Sequence, residues 1–438
     1  MNTIAIDCGA SFIKAAVFEN GEIKKVIQKS SPAVHTNEKI TVIEQIPSLV
    51  EMVKGIIDEL LLDEKEINLC ISNEMHGFLL AYKDCTPYTD YISWQKEYGN
   101  IEIDGVTSFS VIAETPEFKD AIRLSGMPLR AGLPNTNMLY LKRSGILNEC
   151  DGALRFFTLG SYILSCISGV IPDEHPTNAA ATGLYNVEIN DWNRSFIDAI
   201  GGGEIEFPAI GDKVMDFEYK GTLVHAYPAL GDQQAALLGA GFENQSDLSF
   251  NLGTGSQVSL IVDTPQFGEG YQIRPYFFGK YLKTIPHIPS GRALNVYFRF
   301  IKSILKNFSC NLSDDEIWKG ITDSLSRGDK DCNISVDMSF FENAVSNKTK
   351  GQIKNIPEWG FDMDNLIVAI FEQLVDNYIS MADRIVTEGV KIKRIVFSGG
   401  IARRFYYIRE SIMEHYSEAQ YTVAENETLL GLYIYSKM

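Results

Sequence analysis

Two stretches, one near the start of each half of the chain, pair short apolar strands across a glycine turn, and this recurrence limits the fold more than any other feature. In the first, Thr3–Asp7 and Phe12–Phe18 flank Gly9, and the turn Asn20-Gly21 then leads to a strand expected near Ile23–Gln28. In the second, Asp247–Leu252 and Gln257–Val262 flank Gly253-Thr254-Gly255. After the first hairpin a helix is expected over Ile46–Leu62, a short apolar strand at Ile67–Ser72, and a mostly helical stretch from Asp120 to Ser168, broken at Met127-Pro128 and Leu133-Pro134. Thr222–His225 reads as a strand, and Pro228–Gly241 runs from a loop into an alanine-rich helix. After the second hairpin come a long amphipathic helix over Leu366–Glu388, a strand Arg394–Phe397 and a glycine turn, Ser398–Arg404, that opens a helix. A duplicated βββαβαβα unit accounts for this order. It divides the chain at residues 242–246, into domains 1–242 and 243–438. Two domains also suit 438 residues, since single cores stop growing at roughly 250–300.

Charge narrows the partners. A formal net charge of −18 argues against nucleic acid, which needs a basic face, yet leaves room for a nucleotide held by glycine loops and a metal. The seven cysteines form no CxxC pair or His-interleaved cluster, so no zinc site is expected, and their scatter reads as reduced thiols. The first ten residues enter a strand pattern with no basic segment or long apolar run, so no signal peptide is expected. No window approaches the roughly 20 apolar residues of a membrane helix, and the expected location is the cytoplasm.

Five short segments carry residue types suited to chemistry. Asp7-Cys8-Gly9-Ala10-Ser11, with Lys14, is a strand ending in an acid ahead of a glycine turn, which suits phosphate and a magnesium ion; an ordinary hairpin cap is the plainer reading. Gly253-Thr254-Gly255 is a common turn alone, but it opens the second half as DCGAS opens the first, and two such loops can clamp a triphosphate. Ser398-Gly399-Gly400-Ile401-Ala402-Arg403 lets a ribose or base approach bare backbone, although a glycine-eased strand-to-helix turn looks the same. The chain has no GxxxxGK[ST] P-loop. Asp232, in Gly231-Asp232-Gln233-Gln234, reads by itself as a helix cap; functionally it could take the proton of an attacking hydroxyl. Asn73-Glu74-Met75-His76-Gly77 follows a strand at the end where open α/β sheets bind ligands, and Trp94-Gln95 could add an apolar wall and an amide.

The ordered segments IAIDCGASFIKAAVF, NEMHGFLL, ISWQ, PNTNMLYLK, HPTNAAATGLYNVEINDWN, ALGDQQAALLGAG, FNLGTGSQVSL and IVFSGGIARR resemble the FGGY carbohydrate kinases from residue 3 to about 435. That resemblance implies a two-domain actin-like ATPase (ribonuclease H-like) α/β fold with a cleft between the domains, sugar deep in it, and ATP mainly on the second domain. It places Asp7 at the metal and phosphate site, Gly9, Ser11 and Lys14 in the first phosphate loop, and Gly253 and Thr254 in the second. Gly399, Gly400 and Arg403 fall in the adenosine motif; Met75, His76, Trp94 and Gln95 face the sugar; Asp232 is the catalytic base. ATP and Mg2+ are the implied cofactors and a small sugar the partner, with no nucleic acid or membrane; a homodimer stays open.

Within the family, SWQ, ALGDQQA and RPYFFGKYLKTIPHIPSGRAL are most similar to the sedoheptulokinase subgroup, whereas the MHG motif is shared with xylulokinases. Ser11 stands where Thr is usual, which keeps the hydroxyl, and Gln95-Lys96 lacks the common acidic residue, which leaves the sugar open. An actin-like or Hsp70-like ATPase would share the phosphate loops but need neither MHG, SWQ nor GDQQ. A sugar sensor without turnover would not need Asp7 and Asp232.

Overall fold

The computed structural model describes residues 1–32, 45–61, 64–150, 152–386 and 388–438. The first hairpin is β1 (Asn2–Cys8) and β2 (Phe12–Glu19), followed by β3 (Glu22–Ser30), helix α1 (Gln45–Leu60) and β4 (Glu66–Asn73). Helix α2 (Leu159–Ser168), strands β5 (Met215–Tyr219), β6 (Thr222–Ala226) and β7 (Leu230–Gly231), and helix α3 (Asp232–Gly239) complete the first half. The second half repeats the plan with β8 (Asp247–Leu252), β9 (Ser256–Val262), β10 (Gln272–Pro275) and β11 (Tyr281–Ile288). It continues with α4 (Met363–Ile385), β12 (Arg394–Ser398), α5 (Tyr406–His415), β13 (Gln420–Val423) and α6 (Glu427–Tyr435). The expected helix end at Leu62 lies outside the described residues, as does residue 387 within the expected Leu366–Glu388 helix.

The two sheets share one topology. Their orders are β5-β6-β4-β1-β2-β3, with β7 also on β4, and β10-β11-β9-β8-β12-β13. Removing the extra strands leaves the same five-strand order twice, with an antiparallel meander (β1-β2-β3, β8-β9-β11) and two parallel strands added beside its first member. Alternation along β1 sorts the layers: Ile4 and Ile6 point to α1 and α2, while Ala5 faces the other way with Ala16 and Cys70. That second face packs on α3 and α6, whose far sides meet Ile261, Leu282 and Val396 of the second sheet, so this helix pair is the layer between the two sheets. α3 and α6 touch backbone to backbone. A Cβ on Gly239 would stand 1.8 Å from the Glu427 carbonyl, and one on Gly431 1.8 Å from that of Ala235.

The expected helical stretch 120–168 holds a helix at Pro134–Arg143 and α2, but also a short strand, Arg155–Phe157, paired with Leu79–Ala81. This region builds a separate core around Phe78, Met138, Phe156, Tyr185 and Trp192, beside the first sheet's strand ends.

Candidate functional site

The site begins where three parallel strands stop at one level. In register, Asp7 of β1 and Leu230 of β7 both lie opposite Ser72 of β4, and Gly231 lies opposite Asn73. The Ser72 hydroxyl donates to Asp7 Oδ1 at 2.9 Å. Gly231 is the cap of α3, so Asp232 is its first helical residue rather than the cap, and Asp232 Oδ1 accepts the Gln233 N–H at 2.7 Å. Burial raises the Asp7 carboxyl to about 7, the Asp232 charge adds to it, and the Ser72 bond and Lys14 oppose it. Burial raises Asp232 to about 6, against the pull of the Gln233 N–H and Arg274. Two carboxylates are thus held near neutrality at the open end of one strand, where local charge can switch them.

A bracket of polar side chains fixes this corner. Asn178 donates to Asn73 Oδ1 at 3.0 Å and to the Ala229 carbonyl at 2.9 Å, tying β4 to the loop before α3. Thr177 Oγ1 accepts the Gly231 N–H at 3.1 Å and lies 2.8 Å from His175 Nδ1. All three residues are buried. They belong to the HPTN segment, whose order carried family resemblance but whose sequence gave no sign of a contact with Gly231.

Next to the acids, the loop Glu74–Gly77 supplies the side chains expected to face sugar. Met75 is buried, and a Cβ on Gly231 would stand 2.6 Å from its sulfur, so the two segments are in contact. His76 has φ 69°, and its Nδ1 donates to the Ala181 carbonyl at 2.8 Å, leaving Nε2 as the free acceptor. Burial, then Arg274, holds that imidazole down at about 3, so it is neutral. Glu74 is pushed up to about 7 by burial and then by Asp232, and the neighbouring Tyr91 hydroxyl opposes the shift. Trp94 is 46% exposed and Gln95 is also exposed. The Trp94 carbonyl lies so close to Gly132 that a Cβ there would be 2.1 Å away, which packs this segment against the 130–132 loop.

The second half contributes residues the sequence reading did not single out. Arg274 of β10, only 3% exposed, donates to Gln272 at 2.9 Å, to Gln233, and to the Met75 sulfur at 3.9 Å, thereby joining the halves beside Asp232. In the sequence it only opens the RPYFFGKYLKTIPHIPSGRAL segment, with no local pattern that marks it for the site. Arg130 meets His287 of β11, a pair that no local pattern announces.

The glycine turns of the nucleotide side also assemble. Gly399 has φ 90°, and a Cβ on it would lie 2.4 Å from the Leu252 carbonyl and 3.1 Å from Gly253 N, so only glycine lets the 399–400 turn rest on the 253–255 turn. Ser290 Oγ and Gly291 N both donate to the Gly253 carbonyl, at 2.9 and 3.1 Å, and Arg292 N donates to Thr254 O at 2.9 Å. The second loop is therefore anchored on the start of the helix Gly291–Asn307. Gly400 begins a short helix to Arg404, and Arg403 Nη1 reaches the Ala424 carbonyl at 3.5 Å. In the first loop, Lys14 lies opposite Asp7 in register and Ser11 is exposed.

Among the described residues no group of three or more His, Cys, Asp and Glu forms a metal cage. Asp7 and Asp232 are the carboxylates at this strand end, and magnesium, which keeps several waters, needs only one or two carboxylates plus substrate phosphates. The mutually repelling Asp7 and Asp232 are a pair that a dication would relieve.

Comparison with known proteins then decides the family. The family model described as "FGGY family of carbohydrate kinases, N-terminal domain" matches residues 2–239. The chain belongs to the FGGY family of carbohydrate kinases. An FGGY chain is similar to curated relatives over limited stretches: 31% identity over 124 residues to a glycerol kinase of Marinomonas sp. (strain MWYL1), covering 25% of each chain. To an uncharacterized sugar kinase of Archaeoglobus fulgidus it is 26% identical over 294 residues, covering 60% of this chain and 58% of that one. These alignments thus span between a quarter and about three fifths of the relatives' lengths. In fold it matches the crystal structure of a gluconate kinase from Lactobacillus acidophilus, with a TM-score of 0.82 at 17% identity, over 100% of this chain and 88% of that one. The expected two-domain actin-like α/β fold is the fold observed. No helix of the described residues is long and apolar enough to cross a membrane.

Proposed function

We propose that this FGGY family member transfers the γ-phosphoryl group of ATP to a terminal hydroxyl of a small polyhydroxylated substrate, with Asp232 as general base. The observation that carries the reading is the placement of Asp232 at the start of α3, half-buried, near pKa 6 and electrostatically coupled to Asp7. A base poised just below neutrality is ionised at working pH yet basic enough to take a hydroxyl proton. In this account Asp232 orients and deprotonates the hydroxyl as it attacks in line. Met75, His76 and Trp94 line the substrate, with the His76 Nε2 lone pair accepting a hydroxyl. Gln95 adds an amide at the rim. Backbone N–H groups at Gly9 and at Gly253-Thr254, with Ser11 and Lys14, hold the phosphates, while Gly399, Gly400 and Arg403 border the nucleoside. Magnesium, held by Asp7 and the phosphates, would supply charge neutralisation on the transferring group.

The curated relatives and fold neighbours carry names of glycerol and gluconate kinases, which supports a small polyol-bearing substrate without choosing one. The motif forms resemble the sedoheptulokinase subgroup, and a xylulokinase-like preference fits equally well. ADP release measured over ketoses and polyols tests the reading: substrate-dependent ADP formation is expected, and ATP hydrolysis indifferent to every substrate would contradict it. Turnover on sedoheptulose well above xylulose would select the first; the reverse would select the second.

A further inference from the structure

Away from the site around Asp232, Cys85 and Cys166 stand as a pair, with the Cys166 thiol hydrogen-bonded to the Cys85 sulfur. Two elements distant in sequence bring them together. Cys85 occupies a tight turn: its N–H donates to the Tyr82 carbonyl at 3.0 Å, the Tyr82 N–H to the Thr86 carbonyl at 2.9 Å, and the Thr86 N–H to Asp84 Oδ1 at 2.9 Å. Cys166 lies on α2 one helical turn after Tyr162, so the two project from the same face of that helix. The Tyr162 hydroxyl donates to the Cys85 carbonyl at 2.8 Å, which seats this face on the turn. Both cysteines also pack against the core shared by β1, α1 and α2.

The two sulfurs are unlike. Donation from Cys166 holds Cys85 below the ordinary thiol range, against burial and the Asp84 charge and with help from Arg155. That same bond, then burial, pushes Cys166 up. A thiolate beside a protonated thiol is the arrangement in which one sulfur attacks an oxidant and the other resolves the product. Both residues keep part of their surface in solvent, whereas Cys8 and Cys70 are buried and pushed up by that burial, which makes them poor nucleophiles. Packing gives no reason for cysteine at position 85. Its backbone is left-handed at φ 65°, where glycine or asparagine would be less strained.

We propose that Cys85 and Cys166 are a redox modification site, joined into a reversible disulfide when the chain meets hydrogen peroxide. The Cys85 thiolate attacks one peroxide oxygen, the O–O bond breaks, and the departing hydroxide is protonated to water. This two-electron oxidation leaves Cys85 as a sulfenic acid. The Cys166 sulfur then attacks the Cys85 sulfur, the S–S bond forms, and the sulfenic hydroxyl leaves with the Cys166 proton as a second water. Two thiols and one peroxide thus give one disulfide and two waters, and a dithiol reductant reverses the change by exchange. The product fastens the 82–86 turn to α2.

Mass spectrometry of the full chain, treated with hydrogen peroxide under native conditions, tests this without reference to turnover. A loss of about 2 Da is expected, with a non-reduced peptide map joining Cys85 to Cys166 and dithiothreitol restoring both thiols. In Cys166→Ser the serine hydroxyl can keep the hydrogen bond but cannot resolve, so Cys85 should stop at the sulfenic acid and be captured by dimedone. In Cys85→Ser the peroxide oxidation of Cys166 should be at least about 10-fold slower than that of Cys85 in the parent chain. The melting temperature of the oxidised chain should equal or exceed that of the reduced one, since the link joins groups already in contact. Both thiols still open to alkylation after peroxide, a link found only in unfolded protein, the exposed Cys310 consumed ahead of Cys85, or no dimedone adduct in Cys166→Ser overturns the proposal.

Discussion

Asp7 and Asp232 lie on either side of the end of one strand: Asp7 faces Ser72 in register, and Asp232 directly follows Gly231, which faces Asn73. Each belongs to a different parallel neighbour of β4, so the register of two strand pairs sets how the two carboxyls face each other. Slipping either pair by one residue would turn a side chain to the opposite face. The pair is therefore as well fixed as the sheet itself.

The pH dependence of kcat/KM follows from this placement. Asp232 must be ionised to act as base, and burial raises its carboxyl from 3.8 to about 6. Activity should therefore be full above that value and fall about tenfold per unit below it. Because Asp7, raised to about 7, is coupled to it, the limb is a property of the pair. A measured acidic limb centred near 4 would show that Asp232 is not held as described.

Thr177 acts through Gly231. Replacing it with valine keeps the shape but leaves the buried Gly231 N–H without its acceptor, at a cost of about 1–3 kcal/mol. Since Gly231 caps the helix that Asp232 begins, kcat should fall about 10- to 100-fold while KM for ATP stays put. Thr177→Ser should restore most of it. Equal kcat in Thr177→Val and the parent chain would reduce the residue to packing.

Gly431→Ala tests the central helix pair. The added methyl would lie 1.8 Å from the Ala235 carbonyl, where neither helix backbone can yield cheaply. A loss of about 3 kcal/mol or more in unfolding free energy is expected, at the upper end of overpacking effects. A melting temperature within a degree of the parent would mean that α3 and α6 are not packed this closely.

Much of the frame could be read from the chain because it rests on short-range signals. The two hairpins, β4 and α4 all carry apolar runs bounded by glycine, asparagine or polar turns, and they appear within a few residues of where they were expected. The strand Arg155–Phe157 was missed because its pairing with Leu79–Ala81 is long-range and it is only three residues long. The site divides in the same way. Asp7, Asp232 and the glycine turns sit in motifs, whereas Arg130 and His287 belong to two distant segments joined only by the fold. His287 owes its direction to a bulge, which a sequence pattern does not reveal. Trp94, expected to wall the pocket, is 46% exposed, and its backbone carbonyl packs against Gly132.

The account depends most on Asp232 as the base, and substrate-dependent ADP formation by Asp232→Ala, measured beside ATP affinity of the same variant, tests it directly. Turnover is expected to fall about 10²- to 10⁴-fold, the usual contribution of a general base, with the Kd for ATP within about twofold of the parent. Near-normal turnover in a variant that still binds ATP would contradict it.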